Sequence, residues 1–157
     1  MKVQKKDSLK LYGRWRLEAR HIKTGELIVK EGNNLIATVG KGLVGDLLID
    51  TAGFDTGLTF CAIGSDNTAP NVADTTLTVE EFRKAVTSRS RTVNEITITT
   101  FFTAAESTYA IEEAGIFGHS TASVTPDSGI IFSHWLVSFD NTGGVYDITI
   151  SYILQVG

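Results

Sequence analysis

Ile130-Ile-Phe-Ser-His-Trp-Leu-Val-Ser-Phe139, then Asp140-Asn-Thr-Gly-Gly144, then Val145-Tyr-Asp-Ile-Thr-Ile-Ser-Tyr-Ile-Leu-Gln-Val156: the reading of this closing stretch decides the fold class. In its last segment Tyr146, Ile148, Ile150, Tyr152, Leu154 and Val156 fall on one face. Asp147, Thr149, Ser151 and Gln155 fall on the other, interrupted by Ile153. A period of two is the signature of a strand with one face buried. The five residues between the two apolar runs have the chemistry of a tight connection, with Asn and Gly available for positive φ, so the stretch predicts a β-hairpin.

Working outward, the same alternation recurs. Arg14 to Ile22 places Trp15, Leu17 and Ala19 on one face and Arg14, Arg16, Glu18 and Arg20 on the other. Lys23-Thr-Gly-Glu26 is a turn, and Leu27-Ile-Val29 returns as the second strand of a hairpin. Leu58 to Ile63, Val86 to Val93, Glu95 to Phe102 and Tyr109 to Phe117 read as further strands, with Ile96, Ile98 and Phe102 sharing a face. Leu77 to Arg83 reads as a turn or helical fragment. Val39 to Ile49 is the one substantial helix, because Leu43/Leu47 and Val44/Leu48 lie four apart in a single stripe. Thr51 to Gly57, Gly64 to Thr76 and Ser120 to Ser128 are connections rich in Gly, Ser, Asp, Asn and Thr. About eight short strands predict an all-β fold, a β-sandwich or Greek-key barrel with one short helix. Residues 1–12 read as an extended arm. The expected division is a basic arm and hairpin over 1–32 and a sandwich body over 33–157.

The 157 residues suit one domain with a sizeable core, and the 15 glycines against 2 prolines suit turns between strands. The net charge of −4 is unevenly spread. Residues 1–30 hold nine Lys/Arg against three Asp/Glu, a net +6, and residues 31–157 hold five against fifteen, a net −10. A basic arm on an acidic body reads as a solvated segment, or one that pairs with an acidic protein surface, ahead of a nucleic-acid contact. The single Cys61, in the apolar run Leu58 to Ile63, excludes an intrachain disulfide framework and reads as a small buried hydrophobe. No apolar stretch reaches the ~20 residues of a membrane helix. The start, Met1 to Ser8, has basic residues but no hydrophobic core of a secretory signal.

Chemistry-bearing patterns fail on context. Gly40-Lys-Gly-Leu-Val-Gly45 matches a dinucleotide fingerprint literally, but without a long helix and a parallel strand after it; glycines at a bend and a helix–sheet contact are the simpler reading. His21, His119 and His134 are far apart and lack metal-ligand spacing. Glu112 and Glu113 are strand neighbours, which point to opposite faces unless the strand bulges. No Gly-x-Ser-x-Gly elbow is present. Trp15 lies opposite Arg14, Arg16 and Arg20, so stacking on bases and contact with phosphates would not share a surface. The expectation is therefore no catalytic residues, no cofactor and no metal.

Three blocks in order carry a resemblance. They are Asn33-Asn-Leu-Ile36 before the glycine-rich helix; Cys61-Ala-Ile-Gly-Ser65, a Pro-containing loop and Asp74-Thr-Thr-Leu77, with Glu80 and Arg83 beyond; and Glu112-Glu-Ala-Gly-Ile-Phe117 before the closing strands. Together they resemble small tailed-bacteriophage virion structural proteins, such as capsid decoration proteins and the attachment domains of tail-collar fibre proteins. The resemblance implies a β-sandwich working in a virion as a symmetric oligomer, a homotrimer being favoured, with capsid or tail proteins as partners. Collar fibres continue into long shafts, whereas this chain ends at its last strand, which favours capsid decoration (cement) over a neck, tail, baseplate or fibre-attachment role. A carbohydrate-binding sandwich, using Trp15 and Trp135 as platforms, is the reading from another class. Arg14, Trp15, Arg16 and Arg20 are the expected docking residues. Glu112, Asp74 and Arg83 read as framework, a buried or loop-ordering polar network.

Overall fold

The computed structural model describes residues 8–49 and 57–157. Most of the predicted arm, residues 1–7, and most of the Thr51–Gly57 link lie outside the described residues. Among the described residues the strands are β1 (Leu11–His21), β2 (Leu27–Asn33), β3 (Leu35–Ile36), β4 (Leu58–Gly64), β5 (Glu80–Ala85), β6 (Ser88–Thr92), β7 (Glu95–Phe102), β8 (Ala110–Gly118), β9 (Ile130–Asp140) and β10 (Tyr146–Val156), with one α-helix, α1 (Thr38–Leu48), and a short 3-10 helix at Ala104–Glu106. They form two antiparallel five-stranded sheets, ordered β2-β1-β10-β7-β6 (sheet A) and β3-β9-β8-β4-β5 (sheet B). The all-β sandwich is as the alternation predicts.

Ten strands replace the expected eight for two local reasons. β3 is a two-residue bridge onto β9, and the segment read as a turn or helical fragment extends into strand β5. The chain crosses between the sheets just after β5: Val86 still donates to Thr59 in sheet B, while Thr87 donates to Thr99 in sheet A.

The closing stretch alternates as predicted but does not form a hairpin. β9 pairs with β8 in sheet B, and β10 pairs with β1 and β7 in sheet A. Asp140 to Gly144 is thus an arch from one sheet to the other. Buried Asn141 builds it: its Nδ2 donates to Ser107 Oγ (3.0 Å) and to the Tyr146 carbonyl (2.9 Å), and its Oδ1 accepts from the Tyr146 N–H (3.0 Å). Gly143 and Gly144 take φ of 93° and 60°, a region open to glycine.

The core lies between the sheets. Trp15, Leu17 and Ala19 of β1 and Ile148, Ile150 and Tyr152 of β10 face Ala114, Ile116, Trp135, Val137 and Phe139 of sheet B. Trp15 stacks on Trp135 at 5.9 Å between ring centroids, and its indole N–H donates to Ser133 Oγ at 3.1 Å, so the indole keeps a polar partner inside the core. β1 belongs to this core. It pairs with β10 along its whole length, from Leu11 against Val156 to His21 against Tyr146, so the sandwich runs across the expected boundary at residue 32.

α1 lies against β9 at Gly40, whose Cβ, if present, would stand 2.5 Å from the Phe132 carbonyl oxygen. All three glycines of the Gly40–Gly45 pattern sit inside this helix. Its buried stripe is Gly40 and Leu43, with Val44 half-buried; Leu47 and Leu48 are exposed, so the predicted four-residue stripe reaches the sandwich only in its first half.

Candidate functional site

The two sheets treat their outer faces differently. On sheet A the outward positions of β1 are Tyr12, Arg14, Arg16, Glu18 and Arg20. They run beside Glu31 and Val29 of β2 and beside Gln155, Ile153, Ser151, Thr149 and Asp147 of β10. Beyond β10 the face continues through Glu95, Thr97, Thr99 and Phe101 of β7. Among the described residues no helix or loop packs as a layer over this face. Its charges alternate: Arg16 is gripped by Glu18 (2.7 Å) and Glu31 (2.5 Å), and Arg14 lies 3.8 Å from Glu95. Hydrogen bonds from Arg16 to the two glutamates hold its guanidinium even more firmly protonated than usual. Arg20 donates to the Gly25 carbonyl. Three of the four predicted docking residues therefore share one exposed strip. Trp15 does not join them: it is 1% exposed and lies in the core, because side chains alternate along a strand.

On sheet B many of the outward positions are covered, although Leu136 and Ser138 of β9 are exposed. Glu113, Gly115 and Phe117 of β8, Ile131 and His134 of β9 and Arg83 of β5 are all buried. The loop Ser65–Thr78 inserts Leu77 into a small apolar cluster with Ala37, Ala62, Phe117 and Ile131. Two polar clusters tie the loops down. In the first, Arg83 forks onto Glu80, with Nε–Oε1 at 2.5 Å and Nη2–Oε2 at 2.6 Å, both side chains essentially inaccessible. Its remaining donor reaches the Ser128 carbonyl at 2.6 Å, and its guanidinium lies 4.4 Å from the centre of the Phe117 ring. This cluster orders the loop Ser120–Gly129.

In the second cluster His134, 1% exposed, stands between two carboxylates, with Nδ1 2.8 Å from Asp74 Oδ2 and Nε2 2.9 Å from Glu113 Oε2. Glu113 also accepts the backbone N–H groups of Thr78 (3.0 Å) and Val79 (2.7 Å). Burial opposes ionisation of Glu113, but the bonds from His134, Val79 and Thr78 outweigh it and hold the carboxyl below its usual range. Burial likewise opposes the imidazolium, yet Glu113 and Asp74 raise the His134 pKa above its usual value. Asp74 and Arg83 both order loops, as the sequence pointed to, but in separate clusters: Asp74 with His134 and Glu113, Arg83 with Glu80 and Ser128. The glutamate in the Asp74 cluster is Glu113, not Glu112. The pairing of β8 with β9 shifts between Ile111 and Glu113, and Glu113 takes the face that the loop covers. The signal was present: Ala114 and Ile116 face the core, so Glu113 must take the same side as Gly115 and Phe117.

Each ring nitrogen of His134 serves a different carboxylate, and among the described residues no three His, Cys, Asp or Glu side chains converge to hold a metal ion. Burial pushes the Cys61 thiol up to about 12, so it is a packed, unreactive side chain. Trp135 is 4% exposed and stacked on Trp15, so neither tryptophan offers a platform for a sugar ring. Among the described residues no helix is long and apolar enough to cross a membrane. Comparison with models of known families, with characterised proteins and with solved structures finds no match to this chain.

Proposed function

We propose that this chain is a structural protein of a tailed-bacteriophage virion, a decoration (cement) protein that docks on the capsid as a homo-oligomer, a trimer being the favoured form. The observation that carries the docking reading is the contrast between the two outer faces. Loops cover the outer face of sheet B around Glu113, Phe117 and Arg83, while sheet A presents an uncovered, mixed polar and apolar face with Arg14, Arg16 and Arg20 in one strip. The virion assignment rests on the order of the three sequence blocks. A face of alternating sign suits a protein partner of complementary pattern; nucleic acid asks for an unbroken basic track. Binding by many weak copies suits such a face, because each exposed ion pair contributes only about 0–1 kcal/mol.

The test combines light scattering with co-sedimentation on mature capsids and on isolated tails, at low and high salt, for the unaltered chain and for Arg14→Ser/Arg16→Ser/Arg20→Ser. The expected result is a trimer that binds capsids, weakens with salt, and loses at least tenfold in affinity in the triple variant at unchanged melting temperature. Binding to tails alone would move the protein to the neck or tail. A monomer that ignores both particles would end the virion reading.

A further inference from the structure

The loop Ser65–Thr78 reaches the body at few points. Thr38 donates to the Val72 carbonyl (2.8 Å), Ser65 Oγ at the loop's start donates to Glu81 Oε1 (2.6 Å), Leu77 fills the small apolar cluster, and further ties run through Glu113 and His134. We propose that this loop is a latch worked by protonation. It stays closed while His134 is an imidazolium donating to both Asp74 and Glu113, and it lifts when that proton leaves.

The argument starts from the ring. A neutral imidazole has one N–H and one lone pair, whereas the imidazolium donates from both nitrogens. Here both nitrogens face a carboxylate oxygen within 2.9 Å, and the His134 side chain itself is 1% exposed. With both carboxylates ionised, a neutral ring would turn its lone pair towards one of them. Glu113 also accepts two backbone N–H groups, a task for the ionised form. Only Glu113 of β8 and Asp74 of the loop act electrostatically on the ring. β3, paired beside it, brings Leu35 and Ile36. Across the neighbouring cleft of about 450 Å³, β2 presents Lys30 and Glu31, the latter bound to Arg16.

Loss of the proton leaves two like charges about a neutral buried ring. Glu113 cannot move, being fixed in β8 at 0% exposure, whereas the Asp74 side chain is 27% exposed and rides on the loop. The loop is therefore the part that yields. Its departure withdraws Leu77 from Ala37, Ala62, Phe117 and Ile131, and Pro70 from the rim of the cleft. The form with a neutral ring thus gains an apolar face that the imidazolium form hides. The raised pKa of His134 moves this transition upward from the ordinary histidine value. The inference holds whatever partner sheet A meets.

Amide hydrogen exchange and NMR titration of the His134 ring test it together on the full chain. The expected result is a fall of at least tenfold in protection at Thr78 and Val79 over the pH step that deprotonates His134, while β1 and β10 stay protected. Asp74→Asn should move that step to lower pH, and His134→Gln should leave the loop open at every pH with β1 and β10 still protected. If His134→Gln does not fold, Asp74→Asn decides, since Asp74 is the exposed end of the network. Unchanged protection at Thr78 and Val79 while the ring titrates, or a step that Asp74→Asn leaves in place, overturns the latch.

Discussion

Arg83 shows how a buried charge is tolerated in a small sandwich. Its guanidinium spends its donors on Glu80 and Ser128 and its face on Phe117, so neither member of the ion pair is left uncompensated. Arg83→Ala would strand the Glu80 carboxylate, 2% exposed, and should cost about 3–5 kcal/mol in urea unfolding. Arg83→Lys should recover part of that loss, because it restores the charge but not the planar fork. His134 and Glu113 set the limits in pH. The raised His134 pKa gives stability that is full below the ordinary value of about 6.5 and is lost as pH rises through the folded value. The lowered Glu113 pKa gives stability that is present above the ordinary value of about 4.3 and is lost as pH falls through the folded value. The clasp is strongest between those two limits.

At the scale of elements, the arch between β9 and β10 depends on Asn141 in the way a hairpin depends on its turn. The side chain closes three hydrogen bonds across the two sheets, and the backbone adds a fourth, from the Asn141 N–H to the Tyr109 carbonyl. Asn141→Ala would leave the Tyr146 N–H and carbonyl unpaired in a part-buried site. It should cost about 2–4 kcal/mol, taking roughly 1–3 kcal/mol for each unmade bond with partial relief from water. Asn141→Asp keeps the acceptor for Tyr146 and loses the donors, so its melting temperature should fall between those of the parent and the alanine variant.

For the whole molecule, the basic N-terminal region is less separable than its charge suggests. β1 lies between β2 and β10 and carries Trp15, Leu17 and Ala19 into the core. Deleting residues 1–30 therefore removes the strand that seats Trp135 and Tyr152. We expect that truncation to lose its cooperative thermal transition by calorimetry. Docking is better probed by surface substitution of Arg14, Arg16 and Arg20 than by truncation, because only the former leaves the sandwich intact.

Period-two alternation was legible from the residues alone because it is local. It marked the strand Glu95 to Phe102 to the residue, turned Trp15 inward and the arginines outward, and set the inner face of β10. The all-β sandwich follows from that alternation. Which strand pairs with which is not local. Asp140 to Gly144 has turn chemistry that serves a hairpin and an arch equally, since both need glycine at positive φ and an asparagine to hold the ends. The difference lay in β9 itself, whose Ile131 to Trp135 are buried without alternation, so that both of its faces need cover, while β10 buries one. Likewise the partner of Glu113 could not be named from its neighbours. The loop that covers it joins β4 to β5, and His134 arrives from β9, so only the packed sheet brings the three carboxylate and imidazole groups together. Sequence by itself determined which side chains face inward, because backbone geometry dictates that residue by residue. Tertiary structure decided which sheet each strand joins and which outer face the loops cover, because those depend on burying apolar surface between segments far apart in the chain.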